Sequence, residues 1–297
     1  MARRKYKGID HLSSVDRVVV TLMVVVPTLL VLWLVWLPAV GSVLLSFTNW
    51  DGIGPISSAK VIGLKNYHDV VTIYPPFWPA VQHNLIWLGV LFLIATPFGL
   101  FLAVLLDREL RGSRVYQTAI YLPVVLSLAL VGFIWQLIYS RDQGLINQLT
   151  GGTIDWYGDQ RYNLGAALLA ASWRHVGYIM LLYLAGLKGV DPTLREAAKV
   201  DGANERTTFF RVVFPVMAPI NAIVLVVTVI ESLRAFDLVW VINKGRNGLE
   251  LISTLVTSNI VGEASRIGFG SAMATMMLLI SSVFVAIYLR YTFKEQR

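Results

Sequence analysis

The amino-acid sequence predicts an all-α polytopic membrane protein with six transmembrane helices and cytoplasmic N and C termini. The composition, the apolar runs and the placement of basic residues lead to this prediction. Of the 297 residues, 56% are hydrophobic and only 14% are charged, which departs from soluble proteins in the direction of membrane proteins. In such a chain the length reflects the number of helices, so we expect a single transmembrane domain over residues 1–297.

Six apolar runs supply the predicted helices, because about 20 helical residues are needed to span the hydrocarbon core of a bilayer. The runs cover residues 18–47, 85–106, 118–139, 164–187, 219–242 and 270–289. The first run has 30 residues without a charge, which is too long for the core of a cleaved signal peptide. We therefore expect a retained first helix that is kinked or tilted through Pro27 and Pro38.

The basic residues give the orientation of these helices. The N-terminal segment, residues 107–117, residues 188–218 and the C-terminal segment together contain 16 Lys and Arg residues. The loops 48–84, 140–163 and 243–269, which alternate with those segments, contain 7. By the positive-inside rule the basic side is cytoplasmic, so the three loops are expected outside. The same pattern accounts for the net charge of +7 without a nucleic-acid partner.

Several classes of chemistry have no support in the sequence. Cysteine is absent, which excludes disulfides, thiolate metal sites and cysteine nucleophiles. The Gly-Lys dipeptide of a phosphate-binding P-loop never occurs, and neither do the zinc-protease and serine-hydrolase motifs. We therefore expect neither an enzyme nor a bound metal or cofactor. The four histidines lie in separate segments without metal-ligand spacing: His11, His68, His83 and His175.

Charged residues make the fourth and fifth predicted helices unusual, because a charge in the middle of a bilayer costs about 2.5 to 3.5 kcal/mol on insertion scales. On a continuous fifth helix, Glu231, Arg234 and Asp237 would form one slanting stripe. Arg174 of the fourth helix could face this stripe, and we expect the charges to be paired. Three alternatives stay open: a buried ion-pair network that fixes helix packing, the lining of a water-filled cavity, or a position nearer to the membrane surface.

The predicted cytoplasmic loop 188–218 carries signals for two short helices. Asp191, followed by a proline, can cap the first helix, and Gly202 can supply its left-handed stop. Asn204 can cap the second helix, which we expect Pro215 to end. Helices this short are marginal in isolation. They must therefore pack either on the membrane surface or on a protein partner.

At this loop the sequence resembles a known family. Residues 196–203 read Glu-Ala-Ala-Lys-Val-Asp-Gly-Ala and precede Phe210, Pro215 and Pro219, which is similar to the cytoplasmic EAA motif of ABC-importer permease subunits. In that family the motif forms a helix that docks in a cleft of the ATPase subunit. The resemblance implies a coupling loop over residues 191–214. Its implied coupling residues are Glu196, Ala197, Ala198, Asp201, Gly202, Ala203 and Pro215.

Further stretches resemble the carbohydrate-uptake class of these permeases, which includes the maltose transporter. They are residues 63–67, 77–78 with Asn84, 121–123 with Trp135, 144–147 and 236–240. The resemblance covers about residues 20–290 of the chain. One outer loop departs from the family pattern, because residues 243–248 read Asn-Lys-Gly-Arg-Asn-Gly where a sequence like Thr-Gly-Gly-Pro is usual. The shape of that loop is therefore not carried over.

The resemblance implies the MetI-like fold of type I ABC importers and a complete transport system. The implied partners are a second homologous permease, an ATPase dimer that binds ATP and Mg²⁺, and an extracytoplasmic solute-binding protein. The implied activity is import of a sugar through the bacterial or archaeal inner membrane by alternating access. A di- or oligosaccharide is the sugar class that we expect. Glycerol phosphate or another polar metabolite is the alternative solute, and a secondary transporter is the alternative mechanism.

The resemblance also points to a solute cavity. In maltose-transporter-like relatives, sugar contacts come from the helices before and after the coupling loop. Aromatic faces suit sugar rings and bidentate polar groups suit hydroxyls, while an aromatic side chain in a membrane helix can equally serve packing alone. By position, the implied cavity residues are Trp173, His175, Tyr178, Arg234, Asp237 and Trp240.

Overall fold

The computed structural model of this chain describes residues 13–108, 111–262 and 265–295. Within them the only β pairing is a single bridge between Thr48 and Val61, so the all-α membrane fold is confirmed. Four helices are long and apolar enough to cross a membrane, and six spans result if each of two bent helix pairs crosses once. The basic residues before residue 13, on which part of the orientation count rests, and His11 lie outside the described residues.

The first span contacts the rest of the described chain mainly through its last turns, which pack against the last helix. Helices α1 (Ser14–Val31) and α2 (Leu37–Leu45) are joined by the π-helical turn Leu32–Trp36 into the apolar helix Val15–Leu45. Every side chain from residue 15 to residue 40 is exposed. Because these side chains are almost all apolar, they are left to contact lipid or another protein chain.

The structure accommodates the two prolines of the first span in different ways. Pro27 lies inside α1, whereas Pro38 directly follows the π turn, at the second position of α2. Proline is tolerated in the first turn of a helix, and the wider π turn before it accommodates the missing hydrogen bond. Neither proline breaks the helix.

The second span is the 31-residue helix Phe77–Asp107, which follows the short helix α3 (Lys65–Thr72). It consists of α4 (Phe77–Val90), a π turn at Leu91–Ala95 and α5 (Thr96–Asp107). The predicted run 85–106 lies wholly inside it. Its first two turns extend on the side of α3, which lengthens the span beyond the uncharged run.

The third span is broken, where the sequence led us to expect one helix over residues 118–139. Helices α6 (Ser113–Val125) and α7 (Leu128–Ile138) meet at 100°. Leu126 has an extended backbone, and Ser127 caps α7 by accepting a hydrogen bond from the Leu130 N–H at 3.2 Å. This cap satisfies one N–H that the break would leave unpaired.

The fourth span is the most buried of the four helices that are long enough to cross a membrane. After the short helix α8 (Leu145–Thr150), helix α9 (Asn163–Lys188) packs along α5 and α6, and half of its most apolar stretch is buried. Two separate apolar clusters pack against α9. The cluster at its beginning includes Trp87, Leu91, Val131 and Val239. The cluster at its end includes Ala103, Leu106, Ile179 and Met180.

The predicted cytoplasmic loop 188–218 contains three short helices, which are α10 (Pro192–Val200), α11 (Glu205–Thr208) and α12 (Phe214–Val216). The fifth span follows at a bend of 75° and consists of α13 (Ala218–Leu233) and α14 (Asp237–Asn243). The remaining helices are α15 (Ile252–Ile260) and α16 (Ile267–Glu295), which contains the predicted sixth run. Helix α16 packs against α2, α13 and α15.

Pro215 does not end the second helix of the loop, contrary to the sequence-based expectation. A π turn at Phe209–Val213 leads into α12, and the helix continues through Pro215 to Val216. Pro215 occupies the first turn of α12, where its missing N–H is tolerated. The direction changes one residue later, and Asn221 donates a hydrogen bond to the Phe214 carbonyl at 3.0 Å.

Candidate functional site

The fifth span is interrupted among its charged residues. Helix α13 ends at Leu233 and α14 begins at Asp237, so Glu231, Arg234 and Asp237 do not share one continuous helix as their spacing predicted. Side chains from other segments donate hydrogen bonds to the carbonyl groups that the break leaves without a helical partner. Asn84 donates to the Ser232 carbonyl at 3.0 Å, and Ser253 donates to the Ala235 carbonyl at 2.5 Å. Such internal partners permit an irregular backbone at membrane depth.

The break opens onto a cavity that is partly open to its surroundings. Its wall contains two arginines and two acidic residues, which are Arg174, Glu231, Arg234 and Asp237. Apolar and aromatic side chains complete the wall: Trp87, Leu91, Leu128, Ala171, Ile230, Ala235, Phe236, Leu238 and Val239. An apolar pocket with a few converging polar groups is the typical form of a small-molecule site.

One ion-pair cluster stabilises the deep side of this cavity. Arg174 Nη1 lies 3.2 Å from one carboxylate oxygen of Glu231, and His175 Nδ1 lies 3.1 Å from the other. Arg174 therefore faces the fifth span as the sequence suggested. Pairing two charges inside a membrane protein removes most of the cost of leaving either alone.

His175 belongs to the scaffold of the cavity and not to its lining. The imidazole is 1% exposed, and its Nε2 lies 3.3 Å from the Thr228 hydroxyl and 3.4 Å from the Thr96 hydroxyl. The ring thereby connects α5, α9 and α13 behind the cavity. Its contact with Glu231 fixes the carboxylate from behind.

Arg234 and Asp237 behave differently from this cluster. Both side chains are exposed on the cavity wall, and neither forms an ion pair with any residue that the structure describes. The pairing expected for the whole stripe is therefore limited to Glu231 and its partners. The free guanidinium and carboxylate can form charge-assisted hydrogen bonds with a polar solute.

The remaining predicted cavity residues lie outside the cavity wall. Trp173 packs edge-on against Trp135 with ring centroids 5.7 Å apart, and Trp240 stacks on Phe236 at 5.2 Å. Tyr178 packs beside the second apolar cluster. The sequence-based set omitted Trp87 and Phe236, which line the cavity. Phe236 lies in one of the stretches that resemble the family. Trp87 is an aromatic residue in an uncharged span, where the sequence gives no sign that it faces a cavity.

The coupling loop forms its predicted caps. The Asp191 side chain accepts a hydrogen bond from the Thr193 N–H at 2.9 Å. Hydrogen bonds from the backbone and side chain of Thr193 hold the pKa of Asp191 below its ordinary value. Gly202 has a φ of +79°, the left-handed conformation expected of it. Asn204 caps α11 by accepting from the Thr207 N–H at 2.8 Å.

Helix α10 is attached to the ends of two membrane helices. Arg195 Nη1 lies 2.8 Å from Asp107 at the end of α5, and its Nη2 donates to the Leu187 carbonyl of α9 at 3.3 Å. Lys188 lies 3.5 Å from the same Asp107 carboxylate. Arg108 and Glu205 form a further ion pair at 2.6 Å. The loop therefore packs on its own membrane helices through charged contacts.

The residues assigned to ATPase coupling are divided between two faces. Glu196, Ala197, Asp201 and Gly202 are exposed, and Ala203 is half-buried. Ala198 belongs to the same implied set but is buried against the chain itself. A small residue at this position lets α10 lie close to the helices beneath it.

Comparison with known proteins gives a family and related sequences. Residues 95–294 match the family described as "Binding-protein-dependent transport system inner membrane component". A xylose/arabinose import permease protein of Haloferax volcanii is 32% identical over 84% of this chain and 80% of its own length. A probable starch degradation products transport system permease protein of Thermoanaerobacterium thermosulfurigenes is 31% identical over 92% of this chain and 93% of its own length. An arabinooligosaccharides transport system permease protein of Halalkalibacterium halodurans is 30% identical over 87% and 83%.

Solved structures share the fold. A chain of a bacterial ABC transporter for import of the acidic polysaccharide alginate superposes with a TM-score of 0.78 at 19% identity, covering 95% of this chain and 98% of that chain. A chain of the alginate transporter in complex with a pentasaccharide-bound periplasmic protein gives 0.77 at 19% identity, covering 92% and 94%. At this identity the likeness concerns the fold alone.

Proposed function

This chain belongs to the family of inner membrane components of binding-protein-dependent transport systems, and from this premise we propose that it is the membrane-spanning permease subunit of an ABC importer for a sugar. The named solutes of three relatives, which are xylose/arabinose, starch degradation products and arabinooligosaccharides, support a sugar. In this proposal the chain itself hydrolyses no ATP. ATP and Mg²⁺ bind to a separate ATPase subunit.

The observation that carries the proposal is the two-sided construction of the coupling helix α10. Its outer face exposes Glu196 and Ala197, where a partner can dock closely and form a charge-assisted contact. Its inner face is attached through Arg195 to Asp107 of α5 and to the end of α9. A partner that moves α10 therefore moves the ends of both helices.

This attachment suggests how ATP-driven movement reaches the cavity. Helix α9 carries Arg174, whose partner Glu231 lies three residues before the break in the fifth span. Because Arg174 and Glu231 are paired, a displacement of the end of α9 is transmitted through this contact to the helix that carries the break. In the proposed alternating-access cycle, closure of the ATPase subunits turns the cavity outward to accept solute, and opening of the ATPase subunits turns it inward.

The charges of the cavity favour a neutral polar solute. Two arginines and two acidic residues line it, so their formal charges cancel. Arg174 is already neutralised by Glu231 at 3.2 Å, which leaves Arg234 beside Asp237 for solute contact. A sugar can use both a guanidinium and a carboxylate through its hydroxyls, whereas a phosphorylated solute would gain from Arg234 and be repelled by Asp237.

The proposal includes the partners and the location implied by the family. The partners are a second homologous permease, an ATPase dimer and an extracytoplasmic solute-binding protein, in the inner membrane of a bacterium or archaeon. The family description names binding-protein dependence and an inner membrane component. A secondary transporter would give no role to the exposed face of α10, so that alternative has less support.

Coupling is tested by Gly202→Val together with Glu196→Lys in reconstituted vesicles that contain the complete importer. Valine at a φ of +79° is strained, so the variant should misplace α10. We expect insertion and assembly to persist, while transport is lost and ATP hydrolysis no longer responds to the solute-loaded binding protein. Glu196→Lys reverses the charge offered to the partner and should have the same effect without backbone strain.

Gly54→Val provides a matched control. Gly54 also has a φ of +79°, and a side chain there would meet no atom within 4 Å, as at Gly202. The backbone strain is therefore equal, but Gly54 lies in the loop expected on the other side of the membrane. If Gly202→Val and Glu196→Lys both leave transport and stimulated hydrolysis at wild-type levels, the coupling role is refuted.

A further inference from the structure

A second pocket lies beneath the coupling loop. It is enclosed by the end of α5, the end of α9 and the inner faces of α10 and α11. Its floor is apolar, and its rim is charged. The lining residues are Val104, Asp107, Arg108, Leu187, Arg195, Lys199, Ala203, Glu205, Thr208, Phe209 and Val213.

Two hydrogen-bond donors of this pocket are buried without a partner. The Thr208 hydroxyl belongs to a residue that is 7% exposed, and it makes no hydrogen bond within the described residues. The Nε of Arg195 is likewise buried and unpaired, although the rest of its guanidinium contacts Asp107 and Leu187. A buried polar group without a partner is costly. A bound ligand with acceptor atoms would satisfy both groups.

The charges of the pocket specify a negatively charged ligand. Asp107 is already paired with Arg195 and Lys188, and Glu205 is paired with Arg108. The Lys199 ammonium lines the pocket without an ion pair among the described residues. The net formal charge of the lining is positive, since three basic residues oppose two acidic ones.

From these contacts we infer that the pocket beneath the coupling loop binds the phosphate group of an organic phosphate. A phosphate offers acceptor oxygens in several directions, which suits an N–H, a hydroxyl and an ammonium on different helices. The apolar floor of Val104, Leu187, Phe209 and Val213 accommodates the carbon skeleton of the ligand. This site is separate from the solute cavity and requires neither a sugar nor ATP.

Because of its position, a phosphate bound at this site would affect the arrangement of the coupling loop. A phosphate held by Arg195, Lys199 and Thr208 would connect α10 to α11 directly. It would stabilise the loop in the arrangement seen here, with α10 against α5. A ligand that binds one arrangement of a moving element better than another shifts its population. The pocket is therefore placed to regulate coupling.

The inference is tested by thermal unfolding of the full-length chain in nanodiscs of zwitterionic lipid, titrated with inorganic phosphate and with phenyl phosphate. Both should raise the unfolding midpoint at constant ionic strength, and phenyl phosphate should act at lower concentration because it also covers the apolar floor. A second arm replaces part of the lipid with phosphatidic acid. A shift there alone identifies the ligand as a lipid headgroup, and a shift with the soluble phosphates identifies a free molecule.

Two variants and one matched control locate the site. Thr208→Val keeps the shape and removes the hydroxyl, and Lys199→Gln removes the unpaired charge; each should weaken phosphate binding about tenfold. Arg211→Gln removes the same charge from an exposed residue of the loop that does not line the pocket, and it should leave binding unchanged. The inference is overturned if no phosphate shifts the midpoint, or if Thr208→Val and Lys199→Gln bind phosphate as the wild type does.

Discussion

The candidate solute cavity and the proposed coupling loop share one arrangement of charges but differ in the burial of their basic side chains. In each region one carboxylate receives two basic groups: Glu231 holds Arg174 and His175, and Asp107 holds Arg195 and Lys188. Around the cavity the basic side chains are 18% and 1% exposed, whereas around the loop they are 34% and 52% exposed. The carboxylates run the other way, with Glu231 32% and Asp107 11% exposed, so the difference lies in the basic partners. Burial strengthens an electrostatic contact and raises the cost of breaking it.

This difference separates a permanent contact from one that can be exchanged. Breaking the buried cluster would leave Arg174 unpaired inside the membrane domain, so the cluster is expected to persist through transport. The basic partners of Asp107 are partly hydrated, so weakening one of their contacts costs less than it does at Glu231. Contacts of this kind let α10 adjust its orientation while it stays attached to α5 and α9.

The largest expected effect is that of Glu231→Ala. Removing this carboxylate leaves two buried basic groups without their partner, and we expect a loss of about 3 to 5 kcal/mol in the free energy of unfolding. The measurement is thermal or denaturant unfolding of the detergent-solubilised protein. Glu231→Gln retains hydrogen bonding and should lose less. A Glu231→Ala variant as stable as the wild type would contradict the idea of a buried anchor.

Arg234→Gln and Asp237→Asn should change solute binding and leave stability nearly intact. Both side chains are exposed and without an ion pair in the described residues, so we expect the free energy of unfolding to stay within about 0.5 kcal/mol of wild type. Losing one charge-assisted contact should raise the solute concentration for half-maximal transport about tenfold. The solute for this assay comes from a binding screen on the cognate solute-binding protein. Unchanged transport affinity in both variants would remove these residues from the solute site.

Asp107→Asn should have the smallest effect on stability. Its partners are partly exposed, so we expect a loss of about 1 kcal/mol or less, which added salt should reduce further. The loop should become more mobile, and hydrogen exchange of the α10 amides offers a direct measurement. If Asp107→Asn destabilises the protein as much as Glu231→Ala does, the two clusters are equivalent and the comparison fails.

Local signals let the sequence predict much of the loop. The caps formed by Asp191 and Asn204 depend on residues two or three positions away, and the left-handed stop depends on Gly202 alone. Contacts this short are visible in the order of residues. The EAA-like segment also led to the family that the sequence comparison confirms.

The candidate site was predictable only in part. Arg174 and the three acidic or basic residues of the fifth span stood out because charge is rare in a membrane helix. Their roles were not separable by spacing, since whether Glu231 is anchored and Arg234 is free depends on which neighbours reach them. Trp87 joins the same wall from another span, and an aromatic residue in an apolar run gives no sign of facing a cavity.

The sequence by itself determined the membrane class, the apolar runs, the capped coupling helix and the family, because composition and short-range order are sufficient for each. Only the tertiary structure decided that the third and fifth spans are interrupted. The break after Leu233 is possible because Asn84, 148 residues from Ser232, and Ser253, 18 residues from Ala235, supply donors for the freed carbonyls. A backbone group in a membrane must find a partner, and partners so distant along the chain are set by packing.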